Sequence, residues 1–139
     1  MRILHLDQNH EYLSSELEKL GFENHYDYTS SKDEILEKID DYVGIIIRSR
    51  IFIDDEIIKS ANKLKFIARI GAGLENIDIV SAKKNNIQVL SAGEANSNAV
   101  GEHAIGMLLN LLNKIGISNE EIKTNVWERE KNRGIELHK

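Results

Sequence analysis

The most informative part of this chain is the stretch Lys65-Phe-Ile-Ala-Arg-Ile-Gly-Ala-Gly-Leu-Glu-Asn-Ile-Asp78. An apolar run ends at Arg69, a turn follows through Gly71 and Gly73, and a helix-like segment comes next. Two glycines around one small residue let the backbone approach a ligand closely, with its N–H groups pointing outward. A helix starting there adds partial positive charge. The pattern predicts an anion-binding turn at the end of a strand in an α/β protein.

The same glycine pattern is compatible with two other structures. A dinucleotide-binding fingerprint needs a third glycine, and Asn76 stands at that position. A Gly-x-Gly after a strand is also often a plain tight turn. The glycines alone therefore leave open a small-anion site, a plain turn and a nucleotide site.

Composition narrows the class of protein and its partners. The 139 residues suit one domain, with 41% hydrophobic and 29% charged residues. A formal net charge of -5, with both signs interspersed, argues against nucleic acid or an anionic membrane as a partner. The absence of cysteine excludes disulfides, thiolate metal sites and cysteine nucleophiles. We find no signal peptide and no apolar run of membrane-spanning length, and expect a cytoplasmic protein.

The apolar pattern predicts the fold class. Leu13, Leu17 and Leu20 recur at helical spacing, and Ser31 with Glu34 indicates a capping box. Such helical segments alternate with five short apolar runs, Arg2–Asp7, Asn24–Tyr28, Val43–Ile47, Lys65–Ile70 and Ile87–Leu90. This alternation predicts a parallel sheet covered on both faces. We expect an α/β, flavodoxin-like three-layer sandwich whose five-stranded parallel sheet has the order 2-1-3-4-5.

The pattern changes after residue 98. The segment Ala99–Ile115 is a predicted long helix with apolar residues on most of its surface. Either a second domain or subunit covers such a helix, or it lies in the core of this domain, and the sequence leaves both open. We place the flavodoxin-like domain at residues 1–98 and the additional helix with its tail at residues 99–139.

Polar residues follow the expected strands at one edge of the sheet. Two arginines and a hydroxyl group near the glycine turn predict a carboxylate or phosphate site, because guanidinium binds these anions bidentately. The alternative is that the arginines pair with Asp54, Asp55 or Glu94. In strand order the residues are Asp7 to Asn9, Arg48 to Arg50, Arg69 with the glycine turn, and Ser91 to Gly93 followed by Asn96.

Other site types lack the residues they need. A phosphorelay receiver needs an aspartate after the third strand, where Arg48 stands, and a lysine after the fifth, where Ser91 stands. The histidines have no metal-ligand spacing, and we assign neither a metal site nor a catalytic residue. They are His5, His10, His25, His103 and His138.

Three segments together resemble the D-2-hydroxyacid dehydrogenase family. They are Arg69–Asp78, Ile87–Ala92 and Asn96–Met107, and the resemblance is strongest to the phosphoglycerate dehydrogenase branch. The tail Trp127–Leu137 resembles the segment just before that family's cofactor domain. The resemblance covers essentially the whole chain. It implies the N-terminal substrate-binding domain of an NAD-dependent oxidoreductase of serine biosynthesis, truncated before the Rossmann cofactor domain.

The resemblance implies substrate or cofactor contacts for a few residues of this chain. It implies that Arg48 and Ser49 contact the distal end of a small 2-hydroxy or 2-oxo acid, a phosphate in phosphoglycerate dehydrogenases. The backbone N–H groups of Ala72 and Gly73 then hold the carboxylate side of the substrate. Asn96 lies at the interdomain hinge near the cofactor. The Ala99–Ile115 helix crosses to the second domain and packs in a homodimer interface.

The resemblance also implies what this chain does not do alone. The family's catalytic histidine, its supporting acid and its carboxylate-binding arginine fall beyond the present sequence. We therefore expect no catalysis and no cofactor bound by this chain, although the full-length family uses NAD. The alternative is a stand-alone small-anion-binding module, or a scaffold without catalytic activity.

The proline content departs from the family. The chain has no proline, and Gly93 stands where relatives usually have one. Glycine in place of a hinge proline loosens the backbone and raises the entropy of the unfolded chain. Two hypotheses remain, an engineered and truncated proline-depleted domain and a natural gene of low proline content.

Overall fold

The computed structural model describes residues 1–137, so His138 lies outside the described part. Its centre is a sheet in the order β2-β1-β3-β4-β5, in which every neighbouring pair is parallel. This confirms the predicted α/β class and strand order. The strands are β1 (Arg2–His5), β2 (Glu23–Tyr26), β3 (Gly44–Ile47), β4 (Phe66–Arg69) and β5 (Gln88–Ser91).

Helices connect the strands, and most begin at a residue that caps them. Ser31 makes the predicted capping box with Glu34, and Asp54 and Asp78 each accept a backbone N–H of the first turn that follows. A short 3-10 helix covers Ile39–Asp41. The helices are α1 (Glu11–Lys19), α2 (Lys32–Leu36), α3 (Asp55–Ser60) and α4 (Ile79–Lys84).

The core is built from aliphatic side chains of the central strands and of the helices packed on them. All four residues of β3 are buried, as expected for a central strand of a covered parallel sheet. Leu4, Ile45 and Ile67 are inaccessible or nearly so and belong to one cluster with Ile35 and Ile57 of α2 and α3. This packing fixes the ends of β1 and β3, from which the candidate site begins.

The chain divides into two compact units, Met1–Glu94 and Ala95–Lys139. The long C-terminal helix is present as α5 (Gly93–Leu112), so it begins earlier than the predicted Ala99. It ends before Lys114, whose left-handed backbone (φ 52°) separates it from α6 (Ile115–Lys123).

Several large apolar side chains of α5 are exposed, among them Met107 (61%) and Leu111 (74%). Lys131 of the tail pairs with Glu121 of α6 at 2.7 Å, so the tail runs along that helix. Among residues 1–137, no helix combines the length and apolar character needed to cross a membrane.

Candidate functional site

One carboxylate holds the loop that follows β3. Asp7, just after β1, accepts hydrogen bonds through Oδ2 from the backbone N–H groups of Arg48, Ser49 and Arg50, at 2.7, 3.2 and 3.3 Å. Because β1 and β3 are neighbours in the sheet, their carboxyl ends lie side by side. The three bonds fix the backbone of the loop from which Arg48 and Ser49 project.

The loops after β1, β2 and β3 line a cavity of about 340 Å³, which we call the arginine cavity. The predicted site residues Arg48 and Ser49 are both in its wall. Its polar lining and small size suit a compact charged ligand rather than a large apolar one. The complete lining is Leu6, Asp7, Gln8, Tyr28, Arg48, Ser49 and Arg50.

The guanidinium of Arg50 donates hydrogen bonds to three backbone carbonyl oxygens of the protein. Its Nε donates to the carbonyl oxygen of Leu6 at 2.7 Å, and its Nη1 to that of Ser30 at 2.7 Å. Its Nη2 donates to the carbonyl oxygen of Asp27 at 3.3 Å. Arg50 therefore links the loops after β1 and β2 to its own loop after β3.

Arg48 has different surroundings, because its side chain is exposed. Its guanidinium makes no hydrogen bond or ion pair with any residue in the described range 1–137. Asp54 and Asp55, considered above as partners of the arginines, pair instead with Lys32 and Lys59, each at 2.6 Å. Arg48 is thus the arginine of the cavity that is available for a carboxylate or phosphate.

The predicted residues Ala72 and Gly73 lie on the next loop along the edge, after β4, and do not line the arginine cavity. Their backbone N–H groups donate to no acceptor in the described part of the chain. Arg69 connects the two loops, since its Nε donates to the carbonyl oxygen of Arg48 at 3.0 Å. The structure therefore places these two N–H groups and Arg48 on adjacent, linked loops.

The glycine turn does not fit the pyrophosphate of a dinucleotide. The helix expected from Asn76 is present as α4, but it begins only at Ile79, three residues later than the sequence predicts. Residues 76–78 instead pair with Ile53, which donates to the carbonyl oxygen of Asn76 at 2.8 Å and accepts from the N–H of Asp78 at 2.9 Å. The turn consequently lacks the helix N-terminus that a dinucleotide site requires.

The remaining sequence assignments concern Asn96 and metals. Asn96 lies in α5 and belongs to the second unit, so its role near a cofactor stays a prediction. Within residues 1–137, no group of three or more histidine, aspartate or glutamate side chains could hold a metal ion.

Tyr28 is a site residue that the sequence analysis missed. The apolar pattern predicts Tyr28 in the second strand, but β2 ends at Tyr26. The chain turns at Asp27, whose carboxylate accepts the backbone N–H groups of Thr29 and Ser30 at 3.3 and 2.9 Å. The turn formers Asp, Thr and Ser in the sequence Asp-Tyr-Thr-Ser are the local signal that the strand ends before Tyr28. Burial, assisted by Tyr26, raises the pKa of Tyr28, so its phenol remains a hydrogen-bond donor.

The sequence matches a known family along most of its length. Residues 3–130 match the catalytic domain of the D-isomer specific 2-hydroxyacid dehydrogenases. The D-3-phosphoglycerate dehydrogenase of Archaeoglobus fulgidus is 34% identical over 137 residues, and that of Methanocaldococcus jannaschii is 35% identical over 138. Each alignment covers 99% of this chain and 26% of the relative. The chain thus spans about a quarter of the length of these relatives.

Solved structures show the same relationship. A protein from Pyrococcus horikoshii superposes with a TM-score of 0.85 and 29% identity, covering 91% of this chain and 38% of that one. The NAD+-bound 3-phosphoglycerate dehydrogenase of Entamoeba histolytica gives a TM-score of 0.66 and 35% identity, covering 82% of this chain and 40% of that one.

Proposed function

The chain belongs to the D-isomer specific 2-hydroxyacid dehydrogenase family, and we propose that it is the substrate-binding part of a phosphoglycerate-type enzyme. One observation carries the proposal. The Arg48 guanidinium lies in a polar cavity with no protein partner among residues 1–137. A small 2-hydroxy or 2-oxo acid with an anionic tail, above all a phosphate, complements that charge in a site of this size.

The carboxylate end of the acid is assigned to the glycine turn. The N–H groups of Ala72 and Gly73 have no acceptor within the described range, and backbone N–H groups bind carboxylates without needing a side-chain charge. The link from Arg69 to the Arg48 carbonyl fixes this turn relative to the loop that carries the arginine. Two anchors on connected loops would orient an acid that is charged at both ends.

We propose that this chain binds the acid without transforming it. The titratable side chains of the arginine cavity are Asp7, Tyr28 and the two arginines. Asp7 holds three backbone N–H groups, the pKa of Tyr28 is raised by burial, and arginine does not lose its proton in proteins. The cavity therefore offers no group suited to general acid–base work near pH 7.

The NAD of the proposed whole enzyme is assigned to residues other than the glycine turn. That turn lacks both the third glycine and the helix N-terminus of a dinucleotide site. Hydride transfer therefore depends on residues outside the glycine turn that bind the nicotinamide cofactor in the whole enzyme. This chain contributes the recognition of the acid.

A pair of arginine variants tests the proposal. Calorimetric titration with D-3-phosphoglycerate should show binding that weakens about tenfold or more in Arg48→Met, a loss of at least roughly 1.4 kcal/mol. Arg129→Met removes the same charge from an exposed position in the second unit and should bind unchanged. Inorganic phosphate binding as tightly as the acid would favour the stand-alone anion-binding alternative. Absence of binding by the unmodified chain would refute the proposal.

We also propose that α5 mediates a homodimer. It exposes large apolar side chains including Val100 (56%), Ile105 (58%) and Leu111 (74%). Large apolar side chains exposed together on one helix favour an interaction site in a globular protein. A second copy of the chain offers the same apolar helix and gives a self-complementary contact.

A further inference from the structure

Tyr28 lies between two cavities. It lines the arginine cavity and also a neighbouring cavity of about 530 Å³. We call the second one the glutamate cavity, because Glu11 and Glu18 of α1 line it together with Asn9 and Ser14. Because Tyr28 belongs to both linings, it lies at the boundary between the arginine cavity and the glutamate cavity.

The two cavities have opposite charge. The arginine cavity contains the Arg48 and Arg50 guanidinium groups against the single carboxylate of Asp7. The lining of the glutamate cavity contains two carboxylates, Glu11 and Glu18, and no basic side chain. An anionic group is therefore attracted on one side of Tyr28 and repelled on the other, and a cationic group has the opposite preference.

The position of Tyr28 is fixed by contacts on both sides of it in sequence. Arg50 donates to the carbonyl oxygens of Asp27 and Ser30, the residues that flank this short segment. The rings of Tyr26 and Tyr28 contact each other with centroids 6.1 Å apart. Tyr28 remains 37% exposed, so it is a surface residue whose position is held by its neighbours.

An unsatisfied acceptor lies on the far side of Tyr28. The Oδ1 atom of Asn9 is buried and has no hydrogen-bond partner in the described part of the chain, while its Nδ2 donates to the carbonyl oxygen of Asp7 at 2.8 Å. A buried acceptor without a donor is unfavourable, and a ligand donor reaches this atom only if the side chains that cover it move. The two glutamates of the lining make the glutamate cavity suitable for a cationic group.

We propose that Tyr28 is the specificity-determining residue of the substrate site, the wall that limits the bound acid to a compact anionic tail. Removing the Tyr28 ring joins the two cavities and admits acids with longer, cationic tails. Arg50 is a positioning residue that holds the Tyr28 loop. The inference rests on the proposed function, since it concerns the tail of the acid that Arg48 binds.

Two acids test the role of the ring. D-3-phosphoglycerate has a compact anionic tail, and D-6-amino-2-hydroxyhexanoate has a long cationic one. NMR titration of the full chain should show that Tyr28→Ala changes the ratio of the two affinities about tenfold or more in favour of D-6-amino-2-hydroxyhexanoate, the acid with the cationic tail. Tyr28→Phe keeps the ring and should keep the ratio of the unmodified chain. An unchanged ratio in folded Tyr28→Ala would overturn the proposal.

Two further variants separate specificity from folding. Glu11→Gln with Glu18→Gln, in the Tyr28→Ala chain, should remove the gain for the cationic tail if the joined cavities account for it. Tyr28→Leu fills part of the ring's volume, keeps the position apolar and should change the ratio in the same direction by a smaller factor. Retention of the gain after both glutamates are neutralised would contradict the assignment to the glutamate cavity.

The positioning role of Arg50 has its own readout. Arg50→Lys keeps the charge but cannot donate to three carbonyls in the same planar geometry. It should change the affinity ratio in the direction of Tyr28→Ala, and a ratio equal to that of the unmodified chain would overturn this role.

The outcomes also distinguish the two proposals. Binding of D-3-phosphoglycerate that is lost in Arg48→Met, with an unaltered ratio in Tyr28→Ala, would uphold the proposed function and overturn the role of Tyr28. No binding of D-3-phosphoglycerate by the unmodified chain would overturn both.

Discussion

The carboxylate of Asp7 accepts a hydrogen bond from the backbone N–H of Arg48, with 2.7 Å between Oδ2 and N. This contact joins the end of β1 to the loop after β3. The Arg48 side chain has no protein partner of its own in the described range, so its position in the arginine cavity depends on its backbone. Asp7 therefore positions the backbone of Arg48, and its own carboxylate does not bind the anion.

Replacing Asp7 should weaken binding and folding together. In Asp7→Ala three backbone N–H groups lose their acceptor, and we expect the free energy of unfolding to fall by about 1–3 kcal/mol. Affinity for D-3-phosphoglycerate should fall although a repelling carboxylate is removed. Denaturant titration and calorimetry measure the two effects, and Asp7→Asn, which keeps one oxygen acceptor, should lose less of both. Tighter binding in Asp7→Ala would show that charge repulsion outweighs loop positioning.

The buried His5 predicts a dependence of stability on pH. Burial lowers the pKa of His5 below its ordinary 6.5, and the bond from its Nε2 to Asn24 Oδ1 opposes this only in part. The unfolded chain therefore takes up a proton at a higher pH than the folded chain. The contribution to stability is complete above about pH 6.5 and is lost as the pH falls through the lower pKa of the folded state.

Equilibrium unfolding between pH 7 and pH 5 measures this effect. The free energy of unfolding should decrease on acidification in the unmodified chain and decrease less in His5→Gln. Glutamine retains an N–H donor towards Asn24 but does not titrate. Equal pH slopes for the two chains would contradict the assignment to His5.

Position 93 should accept a proline, the residue that the family resemblance leads us to expect there. A Cβ at Gly93 would meet its nearest neighbour, the carbonyl oxygen of Ala72, at an ordinary 3.6 Å. Gly93 also begins α5, where proline is well tolerated because the first N–H lies outside the helical hydrogen bonds. We expect Gly93→Pro and Gly93→Ala to stabilise the protein by about 0.4–1 kcal/mol.

Gly21 provides the contrasting variant. Its φ of 83° at the end of α1 is a conformation that favours glycine, so Gly21→Ala should lower stability by about 1 kcal/mol. Thermal unfolding of both variants gives the comparison. A loss at Gly93 as large as that at Gly21 would show that the hinge backbone needs glycine.

The exposed face of α5 should control self-association. Met107 and Leu111 are one helical turn apart and share a face, so glutamates at both positions would place charges in the proposed interface. Sedimentation should give a dimer mass for the unmodified chain and a monomer mass for this double variant. Val80→Glu, at an 80% exposed position of α4, is the control and should remain dimeric. A monomer at every concentration of the unmodified chain would refute the proposed dimer.

The sheet could be predicted because its signals are local. Each apolar run overlaps its strand, although β2 begins one residue before its run and β5 ends one residue after its own. Strand–helix alternation then leaves few topologies open. Boundaries were less predictable. We expected the long helix from Ala99, yet α5 begins at Gly93 and includes the poor helix formers Asn96, Ser97 and Asn98.

The site was predictable only in part, because its details depend on contacts between loops distant in sequence. Arg48 and Arg50 look alike in the chain, and only the carbonyls of Leu6, Asp27 and Ser30 show that one is a structural link. The pairing of residues 76–78 with Ile53 likewise places the start of the helix expected behind the glycine turn at Ile79 and not at Asn76. The sequence around Arg50 does not indicate its carbonyl partners, and the sequence around residues 76–78 does not indicate Ile53.

The most direct test of acid binding by these loops is an amide-resolved NMR titration with 3-phosphohydroxypyruvate, repeated in the presence of NADH. We expect shifts concentrated at Arg48–Arg50 and at Ala72 and Gly73, the same with and without NADH, because the proposed acid site is formed by these loops alone and the glycine turn lacks the helix N-terminus of a dinucleotide site. Absence of shifts at these residues, or shifts that require NADH, would contradict it.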